Sequence, residues 1–297
     1  MRSPLGFVVV LASIAFGCTP KDDPVIDDPP RPPAVDSTRG ALAATDDPLG
    51  ESVQKVVYLD QGWSASDSLR FYSAPQGSQI IPYDWYLALE QADSETPFRD
   101  VKNMIRLRYL PQAPGKDNPD GLAVGFVRDQ GVDRAWLGLT CAACHTTEIH
   151  HEGTAYRIDG APTMGDVQTL LSALIESMRK THDDSAKFDR FAAKVLTGHD
   201  SPSAREFLKL QMEESIKTRV GYNTRNFPGY DPAKPTPPPA HYGRLDALGA
   251  IVNEVFHFAE KEGAPPTAKK ADAPVSYPFL WDTPTQNLVQ WVGIENG

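Results

Sequence analysis

The chain carries one Cys-x-x-Cys-His motif, Cys141-Ala142-Ala143-Cys144-His145, and this motif constrains the reading more than any other feature. Two thiols three positions apart fall on one face of a helical turn. There each can form a thioether with one vinyl group of a porphyrin, while His145, next along, turns its imidazole toward the iron as the proximal axial ligand. Thr140 stands where a capping hydroxyl is wanted. A redox dithiol of the thioredoxin kind needs a βαβ setting, and a zinc half-site needs a second ligand pair; neither is evident in the sequence. The motif therefore implies one covalently bound haem c, held through Cys141, Cys144 and His145.

The remaining cysteine defines the leader. Met1-Arg2 is a short positive start, and Leu5 to Phe16 is an apolar run, too short to span a bilayer but of signal-peptide length. The run ends at Ala15-Phe16-Gly17-Cys18, which resembles a bacterial lipoprotein box, although Leu is usual where Ala15 stands and a smaller residue where Phe16 stands. Residues 1–17 are thus expected to be a signal peptide and Cys18 a lipidation site. No aspartate follows Cys18, which by the same resemblance implies an outer-membrane lipoprotein facing the periplasm of a bacterial envelope; a soluble periplasmic or secreted form is the alternative. Residues 18–50 read as a disordered tether, because 19–50 hold seven prolines and seven aspartates and few large apolar side chains. A net charge of −10 and a pI near 5.2 argue against a nucleic-acid partner.

From residue 51 to 297 the pattern is that of one haem domain. Twenty-seven prolines imply long loops between short helices. Helices are expected from Ser66-Asp67, over Tyr83–Glu90 with Pro82 at the first turn, and over Pro97–Leu107. The clearest covers Gly165–Lys180, where Val167, Leu170, Leu171, Leu174, Ile175 and Met178 form one apolar stripe. A helix marked by Phe188, Phe191 and Val195 follows, then Ala204–Val220 with Phe207, Leu208, Met212 and Ile216 inward. The last has Leu245, Leu248, Val252, Val255, Phe256 and Ala259 on its core face and closes at Gly263. Residues 149–158 alternate as a small hairpin would. The expected fold class is mainly α: a loop-rich cytochrome c-type domain with short helices and minor β.

Several segments together resemble one family. They include Leu59-Asp60-Gln61-Gly62-Trp63, Pro82-Tyr83-Asp84-Trp85, Asn118-Pro119-Asp120-Gly121-Leu122, the haem motif with Gly138-Leu139-Thr140 before it, Arg157-Ile158-Asp159-Gly160-Ala161-Pro162, and Asp272 to Asp282. The family is the rubber-oxygenase branch of the di-haem cytochrome c peroxidase superfamily, and the resemblance runs from about residue 55 to the end. It implies a longer chain, in which a second domain with its own Cys-x-x-Cys-His carries a haem held by two histidines. This sequence has one such motif and breaks off at Gly297 shortly after Val289-Gln290-Trp291, so it is expected to be a piece truncated at its C-terminus, with a second haem only in a longer chain. Peroxidase turnover in the superfamily draws electrons through that second haem. The rubber oxygenases bind dioxygen at the first haem and cleave a hydrocarbon double bond.

The second axial position decides between functions. Met178 and Met212 lie on apolar helix faces and read as core, whereas Met164, in a loop, is the methionine best placed to ligate. His150 and His151 stand too near His145 in sequence to reach the opposite face and read as solvated; His241 and His257 have reach. Trp281, in the run that carries the resemblance, is a candidate catalytic residue of the distal pocket whose indole N–H would steady bound oxygen or peroxide, with aromatic packing as the alternative. Arg157 is a candidate for a haem propionate, since guanidinium suits carboxylate, with a surface ion pair as the alternative. The functional expectation is an exported haem oxidoreductase acting on peroxide or dioxygen and exchanging electrons with a small redox partner. The alternative is an electron-transfer cytochrome with both axial sites filled. The leader generates a direct test: the mature protein is expected in the envelope membrane fraction, and Cys18→Ala is expected to move it to the soluble fraction, read by fractionation and by mass of the N-terminal peptide.

Overall fold

The computed structural model describes residues 39–231, 240–261, 263 and 269–283, together with the backbone pairing of 288–289 with 294–295. Two small sheets frame the Cys-x-x-Cys-His motif. In the first, β2 (Ile81–Pro82), β4 (Ala135–Leu139) and β3 (Phe126–Gln130) lie in the order β2-β4-β3, all antiparallel. In the second, β5 (Thr146–His151) and β6 (Thr154–Asp159) form a hairpin, and β1 (Lys55–Tyr58) runs parallel to β6. The hairpin turn places Glu152 at φ 47° and Gly153 at φ 72°. Positive φ at both central residues gives the twist that a two-residue hairpin turn needs. Only six residues, 140–145, separate the end of β4 from the start of β5. The motif is the link between the sheets.

Helices pack around this frame. Ser64 caps α1 (Ala65–Ser73) with a reciprocal bond from Asp67, a capping box. The short α2 (Tyr83–Ala88) and α3 (Val101–Arg106) bring Trp85, Tyr86, Met104 and, beyond α3, Leu107 into the main core. Asp166 caps α4 (Val167–Asp183) by accepting from the Thr169 amide at 2.9 Å. The predicted stripe on α4 is buried at Val167, Leu170, Leu174, Ile175 and Met178, against α5 (Ser185–Val195) and α6 (Pro202–Asn226). The β-pair of β7 (Arg244–Leu245) and β8 (Val275–Ser276) frames α7 (Ala247–Lys261), and β9 (Leu288–Val289) pairs with β10 (Ile294–Glu295). Among the described residues no helix is long and apolar enough to cross a membrane.

Four expectations are corrected here. The domain is not mainly α: about 40% is helix and 17% strand, and the strands, not the helices, hold the motif. Sheet content was hidden because β1 and β2 are short runs whose partners, β6 and β4, lie far away in sequence, while the local β3–β4 and β5–β6 pairs are only five and six residues long. Residues 39–50 are not tether. Ala44 and Val53 are buried with Val56, Ile105 and Ala155, and Leu42 donates to the Pro111 carbonyl. The leader, Cys18 and residues 19–38 lie outside the described residues. Phe207 on α6 is 62% exposed, while Leu208 and Met212 beside it are buried. Finally, α7 turns its apolar face outward. Leu248, Ile251, Val252, Val255, Phe256 and Phe258 are exposed, while Asn253 is buried against Asn226 and Glu254 pairs with Arg225 at 2.8 Å. Periodicity shows which residues share a face, not which face meets the neighbour.

Gly125 has φ +81° and lies so close to the motif turn that a Cβ would stand 2.1 Å from the Ala143 nitrogen. Its carbonyl accepts from the Thr140 amide at 2.8 Å. Gly125→Ala is therefore expected to destabilise the fold by about 3 kcal/mol, from overpacking and from a disfavoured φ. A fall of about 6–12 °C in the thermal midpoint would register it.

Candidate functional site

The site begins with a short 3-10 turn at Cys141–Ala143, capped by the Thr140 hydroxyl, which accepts from the Ala142 amide at 3.2 Å. The His145 amide continues the turn by donating to the Cys141 carbonyl at 2.9 Å. Ala142 and Ala143 are buried, Ala142 against Tyr58, Tyr72 and Val124, so the small residues between the cysteines are a packing requirement. Both cysteines are free thiols and half-buried. The Cys144 thiol is pushed up to about 11, chiefly by burial and partly offset by a hydrogen bond from Tyr277.

A segment more than 130 residues away completes the site. His145 Nδ1 lies 2.8 Å from the Pro278 carbonyl oxygen. A carbonyl can only accept, so Nδ1 carries the proton and Nε2 presents its lone pair. This is the arrangement of a metal-binding imidazole whose second nitrogen is tied to a backbone carbonyl. Burial holds the His145 pKa below its ordinary value, against the opposing pull of that hydrogen bond, which favours the neutral ring a metal needs. Tyr277 stands edge-on to the imidazole with centroids 6.2 Å apart. The Leu280 amide donates to the Gly160 carbonyl at 2.9 Å, while the Gly160 amide donates to the His145 carbonyl at 2.8 Å. The motif and residues 277–281 are thus laced to the same turn after β6. Sequence reasoning missed Tyr277 and Pro278, although both lie in a run it singled out; no local pattern says where a proline carbonyl will point.

Trp281 is part of this lacing. Its indole Nε1 donates to the Asp159 carbonyl at 3.1 Å, its ring stacks on Phe279 at 5.4 Å, and it is 43% exposed. The N–H expected to steady a bound gas molecule is used to hold the turn. Arg157 is corrected further. It is fully buried, with Nη2 2.5 Å from Glu148 Oε1 and Nε 2.7 Å from the same oxygen. Burial pulls the arginine pKa down, but the Glu148 charge outweighs it and the net shift is upward. Burial likewise raises Glu148, yet the Arg157 charge prevails and holds it below the usual carboxylate range. Arg157 therefore serves the hairpin as an internal ion pair rather than a propionate at the surface.

The remaining candidates fall apart in space. Met178 and Met212 are in the core, as their helix positions imply, whereas Met164 is 51% exposed beside Thr163, whose amide donates to the Cys144 carbonyl at 3.0 Å. His151 is exposed, but His150 is not solvated as expected: its ring sits between Glu148 and Glu51. His241, at φ 58°, precedes β7, and His257 is on α7. Among the described residues no group of three or more His, Cys, Asp or Glu could hold a bare metal ion, so the second ligand pair that a zinc site requires is not found there. A cavity of about 250 Å³ begins next to the motif at Thr146, and Asp47, Gly50, Glu51, Glu148 and His150 also line it.

The chain is 31% identical over 273 residues to "Uncharacterized protein y4iJ" of Sinorhizobium fredii (strain NBRC 101917 / NGR234). The match covers 84% of this chain but 44% of that relative, so the chain spans less than half of the relative's length. No family model matches the chain, and no solved structure matches it.

The Arg157–Glu148 pair generates a test that separates a structural from a cofactor role. Arg157→Met leaves a buried carboxylate without its partner and is expected to cost about 3–5 kcal/mol in denaturant unfolding. Any haem attached to the folded fraction is expected to be unchanged in amount.

Proposed function

We propose that this chain is an exported c-type haem oxidoreductase that carries one haem on Cys141, Cys144 and His145 and acts on peroxide or dioxygen, in the manner of the di-haem peroxidase and rubber-oxygenase proteins it resembles. The observation that carries the reading is the Nδ1–H bond from His145 to the Pro278 carbonyl, which leaves Nε2 as a neutral donor directly after two free thiols. The chemistry of the donor set fits haem c better than a bare ion, because the thiols and the imidazole belong to one turn and, among the described residues, no further ligands converge on them. The exposed apolar side chains fit it too. Met164 and the outward face of α7 offer the kind of surface a porphyrin would cover, and solvent is a poor partner for it.

In this reading the protein's own residues have distinct tasks. Cys141 and Cys144 anchor the group, and His145 supplies the proximal nitrogen. Pro278 fixes the tautomer and rotation of the imidazole, and Tyr277 braces its edge. The burial of the motif around Ala142 and Ala143 excludes water from its inner side. The bound haem would supply the redox and oxygen chemistry. One observation favours the second reading, an electron-transfer cytochrome with both axial sites filled: Met164 is exposed beside the motif instead of packed in the core, so its sulfur is free to ligate.

Matured with a c-type haem system, the protein is expected to keep its haem under acid-acetone denaturation and to lose it when Cys141 and Cys144 are both replaced by alanine. The reduced protein is expected to bind carbon monoxide with a clear spectral change. Indifference to carbon monoxide together with a methionine–iron band that vanishes in Met164→Leu would decide for the electron carrier.

A further inference from the structure

The His150 ring is held between two groups that can only accept. Its Nδ1 lies 2.7 Å from the Glu51 carbonyl oxygen and its Nε2 3.2 Å from Glu148 Oε2. Glu148 also accepts from Arg157 and is ionised, so it has no proton to give. A neutral imidazole has one N–H; the doubly protonated ring has two and satisfies both acceptors.

What that ring holds is a short stretch of chain. Residues 48–52 run between two anchors, and the Asp47 amide reaches across the stretch to donate to Ser52 Oγ at 3.3 Å. Before them, the Asp47 carboxylate accepts from Arg108 Nη1 at 2.6 and 2.7 Å, and from the Leu49 amide at 2.9 Å. After them, Val53 is fully buried and its amide donates to the Ala44 carbonyl at 3.0 Å. Neither anchor involves the His150 ring. Gly50 and Glu51, between the anchors, line the 250 Å³ cavity together with His150 and Glu148.

We propose that residues 48–52 are a proton-controlled flap over this cavity, held closed by a doubly protonated His150 that bridges the Glu51 carbonyl and the Glu148 carboxylate. Charged groups face the ring from every side: Glu51 and Asp47 from the flap and its anchor, Glu148 from β5, Arg157 from β6, and Arg108 across the cavity. The bond to Glu148 raises the His150 pKa most, against burial, with the Glu51 carbonyl and the Asp47 charge adding to the rise. A raised folded pKa means that the bridge is complete below about pH 6.5, the unfolded value. It is lost as pH rises through the folded value, because one ring nitrogen then turns a lone pair toward an acceptor. The Gly153 amide, which donates to Glu51 Oε1 at 2.7 Å, belongs to the same latch. The inference does not depend on the haem reading.

Hydrogen exchange on the full chain tests it. Protection factors for peptides covering 48–54 and for Gly153 are expected to fall about tenfold between pH 6 and pH 8 once intrinsic exchange is removed, while peptides from α4 stay constant. In His150→Gln the same peptides are expected to show no pH dependence. Nitrogen NMR of wild-type His150 at pH 6 is expected to show both ring nitrogens protonated, which keeps the idea testable if the variant does not fold. A neutral ring at pH 6, or equal pH dependence in wild type and His150→Gln, overturns the proposal.

Discussion

The hydrogen bond between His145 Nδ1 and the Pro278 carbonyl ties together parts of the chain that sequence alone leaves unrelated. It settles which imidazole nitrogen is available, and it positions residues 277–281 against the turn after β6. That turn is in turn bonded to the His145 carbonyl through the Gly160 amide. A bond of this kind contributes about 1 kcal/mol to stability, so its importance is orientational. Without it the imidazole would turn about its side-chain bonds, and the motif would be a turn bearing three reactive groups with no common direction.

The frame behind that bond depends on a buried polar network. Arg157 and Glu148 face each other at one register position of the β5–β6 hairpin, and Tyr58 on β1 receives a bond from Arg157 at 3.3 Å. Two register positions further on, Asp159 accepts from Ser68 and Tyr72 of α1. Burying these charges is unfavourable unless each is paired, so the network selects one register for the hairpin. The strand that leaves His145 is thereby fixed at its first few residues. The same network keeps Glu148 ionised, which links the interior of the hairpin to the flap that His150 holds.

The outward face of α7 is the complement of this economy of polar groups. Asn253 and Glu254 are committed to Asn226 and Arg225 on α6, and this commitment turns the valines, isoleucine and phenylalanines of α7 toward solvent. A contiguous apolar helix face of that size calls for a covering group. It adjoins the β7–β8 pair in sequence, and β8 leads directly into Tyr277.

How much of this was legible beforehand differs residue by residue. That Cys141, Cys144 and His145 share one turn could be read from their spacing, because residues three and four apart are brought together locally. So could the Thr140 cap, the α4 stripe and the β5–β6 hairpin, since caps, helical periodicity and two-residue turns are all settled within a few positions. The rest was decided by tertiary structure. Arg157 looks like a surface cation in sequence, but the parallel addition of β1 encloses it. Trp281 looks like a pocket residue, but the chain path puts its N–H on Asp159. The Pro/Asp-rich composition of residues 19–50 hid the packed segment that begins at Arg39, because its two buried alkyl contacts, Ala44 and Val53, are too few to register in composition. Hydrophobic pattern records which side chains avoid water; which neighbour removes them from it is settled only when distant segments meet.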